Sequence, residues 1–353
     1  MPDPILDTLI VGQGLAGSAL AWHLVEAGQR VQVVDDGHRT SSSKVAAGLV
    51  NPLAGMRFNR RPEVFDWLAY AEGWYDAIGD RLGRRFFFPT PMLRLFRSTA
   101  QQRFLDRALT DPDNRTLLDT RQPTQADFDG LAAPFGGFLQ HRTGYVDMPG
   151  LLASIREWLQ STNRLQQRES AVDTLQVHAD HVVLDGTAAR QVVFCEGARL
   201  QRNPRFADLP LCPEKGEILE LQVPGGDSGR IVNGQYWLVP RAGGGFRFGA
   251  THEHQRIDTQ TTPAGHEELT RGLRDMLPGA EDIRVENHLA GIRPGTSDRY
   301  PLIGRHPLDP RVVVFNGFGA RGALSIPWYA KQLTGHLVDG GALPPEADIA
   351  RFR

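Results

Sequence analysis

Residues 6–36 read LDTLIVGQGLAGSALAWHLVEAGQRVQVVDD, and the order of apolar and small residues in this stretch decides the fold. Leu6 to Val11 form a short apolar run suited to a strand buried on both faces. Gly12-Gln13-Gly14-Leu15-Ala16-Gly17 follows at once. Leu20, Leu24 and Val25 then recur at helical spacing, Gly28 suits a helix stop, and Val31 to Val34 resume a buried strand. Each turn position has a mechanical reason: Gly12 permits the tight turn, Gly14 lets the backbone approach a pyrophosphate, and Gly17 lets helix and strand pack closely. Asp35, with Asp36 beside it, ends the second strand about 20 residues on and suits ribose hydroxyls. The helix N-terminus offers N–H groups and a positive dipole end to an anion. An ordinary glycine turn is the alternative, but strand, turn, helix and acid all stand in the order a dinucleotide site needs.

Outward from this unit, Pro62 to Gly83 carries Phe65, Leu68, Ala71, Trp74, Tyr75, Ile78 and Leu82 at a helical period, opened by proline and closed by glycine. Phe86 to Phe96 and Gly136 to Gln140 read as strands. Asp147 is placed to cap a helix carrying Leu151, Leu152, Ile155, Trp158 and Leu159, and Gln191 to Gly197 is a strand ending in glycine. Lys215 to His254 alternates strands and glycines, with a hairpin turning at Ala242 to Gly245, as in an antiparallel sheet. Val312 to Phe315 is another buried strand, followed by NGFGARG and a last helix. The expected class is α/β: a doubly wound dinucleotide domain interleaved with an α+β domain built on an antiparallel sheet. Residues 1–60, 143–210 and 291–353 are assigned to the first domain, and 61–142 and 211–290 to the second.

The 353 residues suffice for about two domains. With 23% charged and 41% hydrophobic residues the chain lies far from the disordered corner. The net charge of -2 gives no global basic field, so neither nucleic acid nor an acidic membrane is the default partner. Two cysteines, Cys195 and Cys212, make no disulfide framework. No run of about 18 apolar residues occurs, and the N-terminus lacks a basic segment, so a cytoplasmic protein without a membrane anchor is expected.

Five segments together carry a resemblance: DTLIVGQGLAGSALAWHL, the serine and alanine run ending AAGLVNP, WLVP with GGFRFGATHE, AGIRPGTSDRYPLIG, and VVVFNGFGARGALSIPW. In this order, over nearly the whole chain, they resemble the FAD-dependent D-amino-acid oxidase and glycine oxidase family. They are also similar to the oxidase half of the bifunctional enzyme that trims a modified wobble uridine of tRNA. The resemblance implies non-covalent FAD in the first domain and a sheet of the second roofing the flavin. It places Gly12, Gly14, Leu15, Ala16, Gly17, Asp35 and Asp36 at the ADP moiety. Ser42, Ser43, Ala46, Ala47 and Gly48 would pass the pyrophosphate and isoalloxazine. Val172 would face the adenine, and Gly197 would end the strand beside the cofactor. Gly317, Gly319, Ala320, Arg321, Gly322 and Ala323 would lie at the pyrimidine end of the ring, where a helix N-terminus stabilises negative charge.

The chemistry so implied is hydride transfer from an amine-bearing carbon to flavin N5, in which the cofactor does the difficult step. A substrate carboxylate needs a planar, permanently charged fork, which is arginine chemistry. Arg293 in AGIRPGTSD matches the family's anchor, close to the flavin, and Arg321 is the second candidate. Glycine oxidases carry a tyrosine over the substrate near WLVP; here Tyr236 and Trp237 are adjacent, and alternation allows only one to line the pocket, with Trp237 favoured. His252 and His254 are spaced for a metal pair but lack a third ligand, so no metal is expected. The leading expectation is a FAD-dependent amine or amino-acid oxidoreductase with a small-molecule substrate. The alternatives are trimming of a carboxymethylaminomethyl group on a tRNA base, for which Arg57, Arg60, Arg61, Arg81, Arg84 and Arg85 offer the only internal support, and a non-catalytic electron-transfer flavoprotein subunit.

Overall fold

The computed structural model describes residues 5–37, 41–119, 121–222, 229–279 and 282–352. The chain forms two compact units, one of Met1–Lys44, Met148–Glu214 and Ile292–Arg353, the other of Val45–Asp147 and Lys215–Gly291. The first break falls at Lys44 instead of residue 60 because Leu49 and Val50 pair with Tyr145 and Gly144 in a small antiparallel sheet of the second unit. Residues 143–147 belong to the second unit for the same reason.

The first unit is built on a sheet whose central path runs Leu302–Arg305, Val312–Asn316, Thr187–Phe194, Leu6–Val11, Val31–Asp35, Leu165–Gln167. The strands Val312–Asn316, Thr187–Phe194, Leu6–Val11 and Val31–Asp35 run parallel to one another, with Val11 opposite both Val34 and Phe194 and Phe194 opposite Val314, while Leu302–Arg305 joins Val312–Asn316 antiparallel. Burial on both faces explains their unbroken apolar runs. On one face Leu9, Val11, Val34, Val192, Phe194 and Val312 join a buried cluster with Leu200 and Phe206. On the other, Ile10 meets the helix Leu15–Glu26 at Gly17. That helix packs against Gly322–Asp339 and Met148–Ser161, with Trp22 and Trp158 in ring contact at 4.8 Å. The aligned registers bring four strand ends side by side, at residues 12, 35, 195 and 316. This is the edge where open α/β sheets take their ligands.

The second unit contains most of a seven-stranded sheet, in the order Arg284–Thr296, Leu211–Gln222, Phe246–Gly249, Trp237–Pro240, Ile231–Asn233, Met92–Leu95, Gly137–Gln140. Alternation gives it two unlike faces. Leu93, Leu219, Val232, Leu238 and Phe248 are buried against Leu269, Leu273 and Met276 of the helix Pro263–Met276. Thr262 caps that helix by accepting from Gly265 N–H, and Pro263 opens it. The opposite face presents Met92, Ile231, Trp237 and Val239, packed with Ala47 and Tyr145. A separate helix, Val64–Leu82, ends at Gly83 with φ 69°, the left-handed stop its glycine signals.

Candidate active site

At the first strand end the glycines divide by cause. Gly12 has φ +97°, and a Cβ there would lie 2.5 Å from the Cys195 carbonyl oxygen. A Cβ on Gly17 would lie 1.9 Å from the Gly12 carbonyl oxygen. Gly14 has an ordinary φ of -66°, and its Cβ would meet only the hydroxyls of Ser43 and Ser41, at 3.5 and 3.7 Å. Neither its backbone nor its neighbours require glycine. The helix behind it begins without a side-chain cap and without an acid in its first turn, while Ser43 Oγ accepts from Leu15 N–H at 3.2 Å. Room at Gly14 and a helix N-terminus with no side-chain cap of its own N-cap residue together fit a pyrophosphate. Leu15 is buried and Ala16 sits between it and Gly17 at the start of this helix.

Asp35 is also a brace. Its carboxylate accepts from Gln13 N–H at 2.9 Å and Gly37 N–H at 2.8 Å, and it pairs with Arg156 at 2.9 Å. Arg156 holds it through Nη1 while Nη2 is buried with no partner among the described residues, which fits a hydroxyl acceptor of a bound nucleotide. Asp36 pairs with Arg199 at 2.5 Å. Val172 lies in a 3₁₀ turn, Val172–Thr174, and packs on the sheet's apolar cluster.

At the third and fourth strand ends, Gly197 has φ +59° and its carbonyl accepts from Asn316 Nδ2 at 2.9 Å; Asn316 Oδ1 accepts from Gly317 N–H at 2.8 Å. Burial pushes the Cys195 thiol well up, marking an inert thiol. Burial also raises the Glu196 carboxyl to about 7, although it accepts from Asn203 Nδ2 at 2.8 Å. Gly317 and Gly319 take left-handed φ, 80° and 54°, in the loop that leads through a 3₁₀ turn, Gly319–Arg321, into the helix Gly322–Asp339. Ala320 lies within that turn and Ala323 in the helix's first turn. The N-cap residue of this helix, Arg321, makes no side-chain cap, and its first turn carries no acid. A second helix N-terminus at the same sheet edge fits the negative charge of a reduced ring.

Arg293 lies on the strand Arg284–Thr296, two residues before Gly295, so both project to one side. A Cβ on Gly319 would lie 3.7 Å from Gly295 Cα, which places this strand against the glycine loop. Arg293 Nη1 donates to Glu214 Oε2 at 3.0 Å. Asp298, just beyond this strand, accepts from Tyr300 N–H at 3.0 Å and pairs with Arg351 at 2.8 Å.

In the second unit, Tyr236 and Trp237 part to opposite sides of the sheet. Tyr236 packs with Phe248 and against Gly272, whose Cβ would lie 2.3 Å from its ring, and its hydroxyl donates to Glu268 at 3.0 Å. Burial and Glu268 raise its phenol above the ordinary range. Trp237 instead contacts the cluster containing Ala47 and Val239. Gly48, φ +69°, has no room for a side chain, since a Cβ would lie 2.1 Å from the Val146 carbonyl oxygen. Arg247 donates through Nε and Nη2 to Glu220 at 3.0 and 2.9 Å and through Nη1 to the Ala46 carbonyl, pinning the small-residue run to the Trp237 face.

Several of these residues escape a sequence reading. Arg156, Glu214 and the Arg247–Glu220 pair belong to no local motif, and each meets a partner distant in the chain. Lys215 carries a weak signal, as one of only three lysines beside 36 arginines. It is 1% exposed and pairs with Asp258 at 2.7 Å. Among the described residues, no group of three or more His, Cys, Asp or Glu gathers as a metal set, and no helix is long and apolar enough to cross a membrane.

Known proteins are similar to this chain in sequence and fold. The chain is 26% identical over 337 residues to the glycine oxidase of Pseudomonas aeruginosa, covering 85% of each. It is 25% identical over 376 residues to the tRNA 5-methylaminomethyl-2-thiouridine biosynthesis bifunctional protein of Azoarcus sp., covering 97% of this chain but 58% of that one. The chain thus spans somewhat over half the length of that relative. Among solved structures, glycine oxidase from Geobacillus kaustophilus superposes with a TM-score of 0.82 at 24% identity, covering 98% of this chain and 97% of the other, which shows the shared fold. The profile of the family described as DAO, FAD dependent oxidoreductase, matches residues 7–335, and the chain belongs to that family of FAD-dependent oxidoreductases.

Proposed function

We propose that this chain oxidises the amine-bearing carbon of a small amino acid or N-alkyl amino acid. The observation that carries the reading is the packing of the Arg293 strand against the glycine loop at Gly295 and Gly319. It brings the strand that carries Arg293 to the loop that leads into the helix Gly322–Asp339. The glycine oxidases to which the chain is similar supply the amine class.

Bound FAD supplies the electron acceptor for this chemistry. The first unit's residues hold it without a covalent link: Gly14 and the first helix take the pyrophosphate, Asp35, Asp36 and Arg156 the ribose side, and the loop Gly317–Ala323 the ring. Arg293 binds the substrate carboxylate and thereby fixes the position of the reacting carbon. Trp237 is the aromatic side chain assigned to the substrate, while Tyr236 stabilises the sheet against its helix.

The test is anaerobic mixing of the holoenzyme with amino acids and N-alkyl glycines, following flavin bleaching. Removing one partner of a buried charge pair costs about 2 to 5 kcal/mol. Arg293→Met is therefore expected to slow second-order flavin reduction by roughly 30-fold to a few thousand-fold. Lysine restores part, because it keeps the charge and loses the fork. A variant that reduces normally with every carboxylate substrate sinks the assignment and moves attention to Arg321.

A further inference from the structure

We propose that Glu214 is a specificity-determining residue which, paired with Arg293, makes the anchor selective for zwitterionic α-amino acids over carboxylates that lack an amine. The proposal rests on the reading of Arg293 as the substrate anchor. An arginine awaiting a ligand carboxylate would ordinarily face solvent or backbone. Here Arg293 Nη1 already donates to Glu214 Oε2 at 3.0 Å, with side-chain exposures of only 20% and 22%. The two lie on neighbouring strands, Arg284–Thr296 and Leu211–Gln222, so the pair is built into the sheet and not formed by a passing surface chain.

The consequence follows from counting charges. A simple carboxylate that reaches Arg293 must compete with a tethered anion of high local concentration. It also sets a second negative charge beside Glu214, and like charges held together are costly. An α-amino acid brings an ammonium one carbon away from its carboxylate. Its carboxylate takes the place of Glu214 on Arg293, and its ammonium takes the place of Arg293 on Glu214. One ion pair becomes two, and no net charge enters the site. Glu214 thus acts as a repulsive element against amine-free acids and as an attractive one toward the substrate class.

The test is calorimetric titration of the holoenzyme with two ligands that cannot be oxidised at an amine carbon. One is 2-methylalanine, a zwitterion with no hydrogen on that carbon; the other is isobutyrate, which lacks the amine. In Glu214→Gln, isobutyrate is expected to bind roughly 5- to 30-fold tighter and 2-methylalanine weaker by a similar factor. Glu214→Asp, which withdraws the charge by one methylene, should move both affinities the same way by less, and serves if the glutamine variant does not fold. Affinities that stay put, or shift together in one direction, overturn the proposal. Arg293→Met tests the underlying reading separately: it should weaken both ligands, and unchanged binding of both would reject Arg293 as the anchor whatever Glu214 does.

Discussion

A methyl group on Gly17 would sit 1.9 Å from the Gly12 carbonyl oxygen, whereas one on Gly14 would meet nothing nearer than a serine hydroxyl at 3.5 Å. Gly17→Ala should therefore destabilise the apoprotein itself, by about 1–3 kcal/mol or more from overpacking. Gly14→Ala should leave the apoprotein's melting temperature nearly unchanged and weaken FAD binding. Equal losses of apoprotein stability in the two variants would contradict this division. Glu196 yields a pH prediction. Its native carboxyl titrates near 7, raised by burial from an ordinary value of 4.5. The native state therefore keeps a proton that the unfolded chain loses, and stability falls as pH rises through this window. The contribution is full below the unfolded value and lost above the folded one, a difference of about 3 kcal/mol. Glu196→Gln should flatten that decline in urea unfolding between pH 5 and 8, since an amide oxygen still accepts from Asn203. At this scale the sequence reveals Asp35, because it sits at a fixed distance from a glycine turn. It hides Arg156, which reaches Asp35 from 121 residues away.

Periodicity makes the elements readable and leaves their partners unread. The runs at Leu6–Val11, Val64–Leu82 and Val312–Asn316 declare strand or helix by spacing alone. Nothing local says that Leu6–Val11 lies between Val31–Asp35 and Thr187–Phe194. Alternation does better at Tyr236 and Trp237, since a strand forces the two apart even when the face each meets is unknown. That separation predicts a split in variants. Tyr236→Phe removes one hydrogen bond to Glu268 and should cost about 0.5–1.5 kcal/mol of stability while leaving flavin reduction intact. Trp237→Ala should slow reduction by amine substrates. Stopped-flow reduction of both variants checks the pair, and the reverse result would move the substrate-facing role to Tyr236.

Over the whole molecule, a net charge of -2 leaves recognition to local clusters. Three of the six arginines that a tRNA-directed reading leans on are already engaged: Arg60 pairs with Asp111 and Asp113, Arg84 with Asp147, and Arg85 donates to the Phe87 carbonyl. Such exposed pairs add little stability, but each cancels most of the field its arginine would project. Phosphate contacts draw on that field, through release of counterions from the nucleic acid. The expected behaviour is therefore that of an enzyme for small amines: at about 150 mM salt, tRNA should neither compete with a substrate amino acid in flavin reduction nor shift in a mobility assay. Lowering the salt tenfold should strengthen any residual binding only weakly, because few phosphates are neutralised. A steep salt dependence, lost when Arg57, Arg60 and Arg61 are changed together to glutamine, would instead establish a nucleic-acid surface and return the tRNA base to the head of the substrate candidates.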